Sequence, residues 1–189
     1  MKKKIFILVI VFAVLAIAGS IFYYWQSQKQ VWALNKTLPK EVRVGKSIFG
    51  NKYKVVNKID GYEFKVPSGW EGIEEIEYMA ERGTGVYKGT SIFAKGKTGG
   101  SRTVSVDTFK MAGGDDKDLN KWATDFLSTF KLSGDLNKKM IAGLYAISTR
   151  EVEHLAGAYI YFIKSANKIY ILTGGSEEYI KQIINSGKW

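Results

Sequence analysis

The stretch GAYIYFIKSANKIYILTG, residues 157–174, decides the fold. It reads as two strands, Gly157–Lys164 and Lys168–Gly174, folded about Ala166-Asn167. Ile160 and Phe162 alternate with Tyr159, Tyr161 and Ile163. On the other arm Ile169 and Ile171 alternate with Tyr170 and Leu172. Both faces of both arms are therefore apolar, and strands of that kind lie in the middle of a sheet with cover on each side. A turn at Ala166-Asn167 puts Tyr161 opposite Leu172 and Ile163 opposite Tyr170, so Tyr159, Tyr161 and Tyr170 share one side. The preferred reading of these rings is core beneath a helix. The functional alternative is a partly open face for a peptide or a small ligand.

The flanking sequence supplies the covers. After Ser176, an N-cap residue type, Glu177–Asn185 carries two acids in its first turn and an Ile180, Ile183, Ile184 stripe, and Gly187 ends the helix. In Asp118–Phe130 the residues Leu119, Trp122, Ala123, Phe126, Leu127 and Phe130 fall on one helical face, with Asp116 or Asp118 as cap. Lys139–Ala142 and Leu144–His154 read as strands. In the second, Arg150, Val152 and His154 share one face and Glu151 and Glu153 the other. Further upstream, Tyr53–Asn57, Tyr62–Val66, Ile73–Ala80, Gly85–Ala94 and Arg102–Met111 are short strands separated by glycine-bearing turns. The expected architecture is α+β, one mainly antiparallel sheet with helices packed on its faces.

The N-terminal end has a different character. Met1-Lys2-Lys3-Lys4 precedes IFILVIVFAVLAIAGSIFYYW, residues 5–25, which holds no charge. As a helix it spans ~30 Å, the thickness of a bilayer's hydrocarbon core. Ala16-Ile17-Ala18 also resembles a signal-peptide cleavage site. An uncleaved anchor is preferred, because the apolar run continues to the ring cluster Tyr23-Tyr24-Trp25, suited to a membrane–water interface. Lysines before the span place residues 1–4 in the cytoplasm and the remainder outside it. Residues 26–51 read as a juxtamembrane stalk, in which Val31–Val44 form a short helix or an extended segment with Pro39 breaking any helix, and 52–189 as the globular domain.

The chain has 189 residues, 28 basic and 18 acidic, net +10. Lys2, Lys3 and Lys4 belong to the orientation signal, leaving 25 basic against 18 acidic residues outside, net +7. Such a surface suits anionic lipid, an acidic envelope polymer or plain solvent. Nucleic acid is not expected as a partner of an exported domain. No cysteine and a single histidine, His154, exclude thiol nucleophiles, zinc-thiolate sites and disulfides, as well as any site needing two imidazoles.

Individual motifs are weak. Gly45-Lys46-Ser47 and Gly96-Lys97-Thr98 resemble the tail of a phosphate loop, but Lys40 and Ser91 stand where its first glycine belongs. Asp116, Asp118 and Asn120, with Asp115 beside them, resemble a calcium loop. Lys121 replaces its turn glycine and Leu127 its bidentate glutamate, so only a weak surface calcium site stays open. His154 serves no serine or cysteine motif. The acids Asp107, Glu151 and Glu153 are the candidates for a hydrolase of envelope polymers, with no spacing that selects a pair.

The strand-turn segment YEFKVPSGW, residues 62–70, with the Asp118–Phe130 helix, the closing KIYILTGGSEE, residues 168–178, and Trp189, resembles the PsbP/Mog1-like fold, in particular bacterial PsbP-related domains. The similarity covers about residues 52–189 and implies an α/β/α sandwich. Members of that family are mostly accessory or binding proteins with unrelated partners. Plant PsbP supports photosystem II and Mog1 binds a small GTPase. Neither partner motif is matched here, and no functional residue is carried over. The expectation is thus a membrane-anchored extracytoplasmic module without catalysis or cofactor, binding an unknown protein or envelope component. Tyr159, Tyr161, Tyr170, Arg150 and His154 form its candidate face. A small apolar-ligand or lipid carrier is the alternative, and an acid-dependent hydrolase a third.

Overall fold

The computed structural model describes residues 2–47, 52–67, 70–82, 87–96, 101–110, 118–153, 155 and 157–189. Its elements, in chain order, are α1 (Lys2–Lys36), β1 (Val42–Lys46), β2 (Tyr53–Asn57), β3 (Tyr62–Lys65), β4 (Trp70–Arg82), β5 (Tyr87–Gly96), β6 (Ser101–Lys110), α2 (Leu119–Thr129), β7 (Asn137–Ile141), β8 (Leu144–Arg150), β9 (Tyr159–Ser165), β10 (Lys168–Gly174) and α3 (Glu177–Ser186). The class is α+β, as the sequence implied, and every strand pairing is antiparallel.

The strands form two sheets rather than one. Seven lie in the order β4-β5-β6-β10-β9-β8-β7, and β1-β2-β3 form a separate sheet of three. The reason is in the burial pattern. Val42 and Val44, Tyr53 and Val55, and Tyr62 and Phe64 are buried while Arg43, Gly45 and Lys54 are exposed, so these strands have one apolar face each. A one-faced sheet covers another layer and cannot sit at the centre of one.

The centre belongs to β9 and β10. The register is the expected one: Tyr161 pairs with Leu172 and Ile163 with Tyr170. One face of the large sheet, through Tyr161, Ile163, Tyr170 and Leu172, packs with the small sheet, with Ile180, Ile183 and Ile184 of α3, and with Val31 and Leu34 of α1. The opposite face, through Ile160, Phe162, Ile169 and Ile171, packs with Leu119, Ala123 and Leu127 of α2. Asp118 caps α2 by accepting the Asn120 N–H. Rings lock this side, with Phe126–Phe162 centroids 5.4 Å apart and Phe109–Trp122 5.1 Å apart. Trp189 closes the other side, lying 5.3 Å from Tyr170 and stacking on Tyr62 at 5.8 Å.

The segment expected as a stalk is folded into this core. α1 runs unbroken past Trp25 to Lys36, its residues 5–26 exposed and Gln28, Val31 and Leu34 buried. Three polar side chains fasten it. Gln28 Nε2 donates to the Lys46 carbonyl at 3.2 Å, and Asn35 exchanges two hydrogen bonds of 2.8 Å with Val44. Gln30 Nε2 donates to the Ile73 carbonyl at 2.7 Å and its Oε1 accepts the Tyr53 hydroxyl at 2.9 Å. The helix thus satisfies the outer edges of β1 and β4 together, and bridges the two sheets.

Two substitutions test this account. Phe162 is fully buried between α2 and the sheet. Phe162→Ala should lower stability by about 3–5 kcal/mol in urea unfolding, while exposed Val152→Ser should leave it almost unchanged. Ala166 begins the β9–β10 turn at φ 50°, a left-handed conformation that disfavours a Cβ. Ala166→Gly should therefore raise stability in urea unfolding by about 1 kcal/mol.

Candidate functional site

The predicted tyrosine face is not an open site. Tyr161 and Tyr170 are buried at 0% and 2% exposure, because the small sheet and α3 both cover the side that the sequence assigned to a helix alone. Tyr159 is half-buried at the margin of that core, with the exposed Arg150 guanidinium over its ring at 5.4 Å. His154 lies outside the described residues, as do Asp115 and Asp116. β8 ends at Arg150, so Glu151 and Glu153 do not share a strand face as expected. Glu151 is buried, and its carboxylate accepts the backbone N–H groups of Glu153 (3.0 Å) and Leu155 (2.5 Å). It organises the turn after β8. Asp107 of β6 is separated from β8 by β10 and β9. That is about 14 Å across the sheet, beyond the roughly 5–10 Å of a glycosidase pair. Among the described residues, no three of His, Asp and Glu converge to hold a metal ion.

Two polar clusters pin the layers. Glu177, in the first turn of α3, accepts the Tyr161 hydroxyl at 2.6 Å and pairs with Lys139 at 2.5 Å and Lys181 at 3.1 Å. Hydrogen bonds from Lys139, Tyr161 and Lys181 pull the Glu177 carboxyl down to about 2. Burial, then Glu177, pushes the Tyr161 hydroxyl well above its usual range, so it is a fixed donor and no acid–base catalyst at neutral pH. Asp60 forms the second cluster. It is buried in the β2–β3 turn, where its carboxylate accepts Asn57 Nδ2 at 2.7 Å and its carbonyl accepts Lys168 Nζ at 2.5 Å. Burial, with the Asp60 charge, pushes Tyr78 up to about 12. Each cluster joins a layer above the sheet to the sheet itself, which is a structural task.

The concave surfaces lie elsewhere. One groove, of about 780 Å³, runs between Gln30, Ala33, Leu34 and Thr37 of α1 and residues 74–79 of β4. β4 is one of the two edge strands of the large sheet, β7 being the other. Its Glu74, Glu75 and Glu77 are exposed along this groove, making it acidic. A second concavity, of about 590 Å³, lies at the open end of the small sheet, where Lys46, Lys52, Lys54 and Lys65 line it with the end of α3. Among the described residues, no carboxylate lines it. Sequence reasoning missed both. The available signals were the Gln28, Val31, Leu34 spacing on α1 and the run Glu74-Glu75-x-Glu77. The first was masked by the change to polar composition after Trp25. No protein-family model matches the chain, and no curated protein matches its sequence.

Glu177 generates a pH prediction with a fixed sign. Its carboxyl moves from an ordinary 4.5 down to about 2 on folding. The stabilisation is therefore complete above pH ~4.5 and is lost as pH falls through about 2. Urea midpoints of the wild type and Glu177→Gln should differ most above pH ~4.5 and converge near pH 2.

Proposed function

We propose that this protein is a membrane-anchored extracytoplasmic binding module, non-catalytic, which holds the α1–β4 groove at a fixed height above the bilayer for an extended segment of a partner protein. The observation that carries the reading is the continuity of α1. One end is an apolar helix of membrane-spanning length that no protein surface covers, and the other is part of the domain core. Gln30–Thr37 of the groove lie roughly 8–18 Å beyond Trp25 along the helix axis. The lysines at positions 2–4 favour an N-terminus in the cytoplasm and the domain outside.

An edge strand beside a groove suits strand addition, in which main-chain hydrogen bonds supply affinity and side-chain pockets supply selectivity. The bulges in β4, at Ile73/Glu75 and Met79/Arg82, and its acids discourage indiscriminate self-pairing. The same acids favour a segment bearing lysine or arginine. The resemblance of residues 62–70 and 118–130 to PsbP-related domains supports the same role, since members of that family are mostly binding proteins. Burial of Tyr161 and Tyr170 argues against the apolar-ligand carrier, and the separation of Asp107 from Glu151 against the hydrolase.

The reading is tested in membranes of the expressing cell. A photo-crosslinker at Glu75 should give one discrete protein conjugate, lost in Glu74→Lys/Glu77→Lys, while the same probe at Lys138 gives none. Protease outside sealed, right-side-out vesicles should remove the domain and spare the anchor. Protection of the domain, or a conjugate indifferent to the charge reversal, would overturn the proposal.

A further inference from the structure

We propose that the four-lysine concavity at the end of the small sheet is a docking surface for the headgroup of an anionic phospholipid in the membrane that holds α1. The inference rests on the reading of residues 5–25 as a membrane span, and deepens it by naming a lipid ligand.

Topology brings the lysines together. β1 ends at Lys46, β2 begins just after Lys52 and carries Lys54, and β3 ends at Lys65. In an antiparallel sheet the end of β1, the start of β2 and the end of β3 are the same edge of the layer. The registers agree, pairing Lys46 with Tyr53 and Lys54 with Lys65. The Ser47 N–H donates to the Lys52 carbonyl at 2.9 Å, and the Val66 N–H to the Tyr53 carbonyl at 2.9 Å, so the strands stay joined to that edge.

The hydrogen bonds of α1 set its depth. Gln28, which holds the Lys46 carbonyl, is three residues beyond Trp25, or roughly 4–5 Å along the axis. Asn35, which holds Val44, is about 15 Å beyond. β1 therefore descends toward the membrane and delivers Lys46 at the level of the headgroups, a layer about 5–7 Å thick on each side of the hydrocarbon core. The lysine edge faces the bilayer, and the rest of the domain stands above it.

The electrostatics call for an anion there. Lys54 is compensated by Glu63 at 2.8 Å. Lys46 lies over the Tyr53 ring at 5.2 Å, and among the described residues no carboxylate within ion-pair distance meets Lys46, Lys52 or Lys65. Lysines directly across a strand pair repel. Three uncompensated cations within one concavity, at headgroup depth, are complementary to a phosphodiester, and each basic group at such a surface strengthens attraction to anionic lipid. Gln182 and Ser186 at the end of α3 add neutral polar groups suited to a glycerol headgroup.

The test uses the full chain in detergent micelles holding equal phosphatidylglycerol and phosphatidylcholine, read by native mass spectrometry of the released protein. The wild type should retain phosphatidylglycerol about tenfold over phosphatidylcholine, and added salt should reduce the preference. Lys46→Gln/Lys52→Gln/Lys65→Gln should abolish it, as should the milder Lys52→Gln/Lys65→Gln, whose positions are exposed and whose thermal midpoint should match the wild type. Lys121→Gln/Lys138→Gln, on α2 and β7, should keep it. Equal retention of the two lipids by the wild type, or an unchanged preference in both groove variants, would overturn the inference. Displacement of the lipid by inorganic phosphate would also overturn it, by reassigning the concavity to a soluble anion. Alkaline carbonate extraction of the same chain from vesicles reports the span separately. Resistance to extraction without lipid preference removes the headgroup site alone, whereas release by carbonate removes the anchor reading.

Discussion

Two-sided burial of β9 and β10 is the constraint from which the rest of the molecule follows. A strand pair with Ile160, Phe162, Ile169 and Ile171 on one side and Tyr161, Ile163, Tyr170 and Leu172 on the other is stable in water only if both sides are covered. Each of these side chains contributes about 2–3 kcal/mol on full burial, so neither cover is dispensable. α2 supplies one. The other side is wider than one helix, and α3, the small sheet, Trp189 and the last turns of α1 share it. The polar clusters at Glu177 and Asp60 lie where these covers meet the sheet, and add directional contacts that fix their position.

The same requirement ties the domain to the helix that precedes it. Val31 and Leu34 belong to the core, so α1 cannot swing freely as a stalk would. Gln28, Gln30 and Asn35 remove any residual choice of rotation by satisfying edge carbonyls of both sheets. A helix fixed in rotation and register by these five side chains transmits its orientation to everything packed on it. The domain therefore has a near face and a far face with respect to the end of the apolar run. The lysine edge is on the near face, and the acidic groove begins beside Gln30 and leads away.

The fold was legible wherever apolar periodicity was local. The β9–β10 register, the α2 face Leu119, Ala123, Leu127 and the β4-β5-β6 meander all follow from spacing within one or two elements. The division into two sheets was not legible. Val42, Val55 and Phe64 alternate in the same way whether their strands join a large sheet or cover it, and only the tertiary layer decides. The stalk reading failed for a related reason. Gln28 and Gln30 are polar by composition, but here they act as edge caps, a role visible only once a strand lies alongside. The tyrosine candidates were correctly grouped on one face. Their burial was the preferred reading and holds for Tyr161 and Tyr170, but the second sheet that shares in covering them could not be read, because residues a hundred positions earlier form it.

The charge of the chain now divides by position rather than by sum. Three lysines lie before the apolar run, four line one concavity at its other end, and three glutamates line the groove farther along. A net +7 spread evenly over a surface attracts anions weakly and in all directions, and salt screens it within about 8–10 Å. Cations gathered at one edge act within that distance only on what lies against the edge, and α1 determines what that is. Rigid coupling and charge segregation are therefore one device. Without the buried Val31 and Leu34, neither the lysine edge nor the acidic groove would keep a fixed position relative to the end of the apolar run.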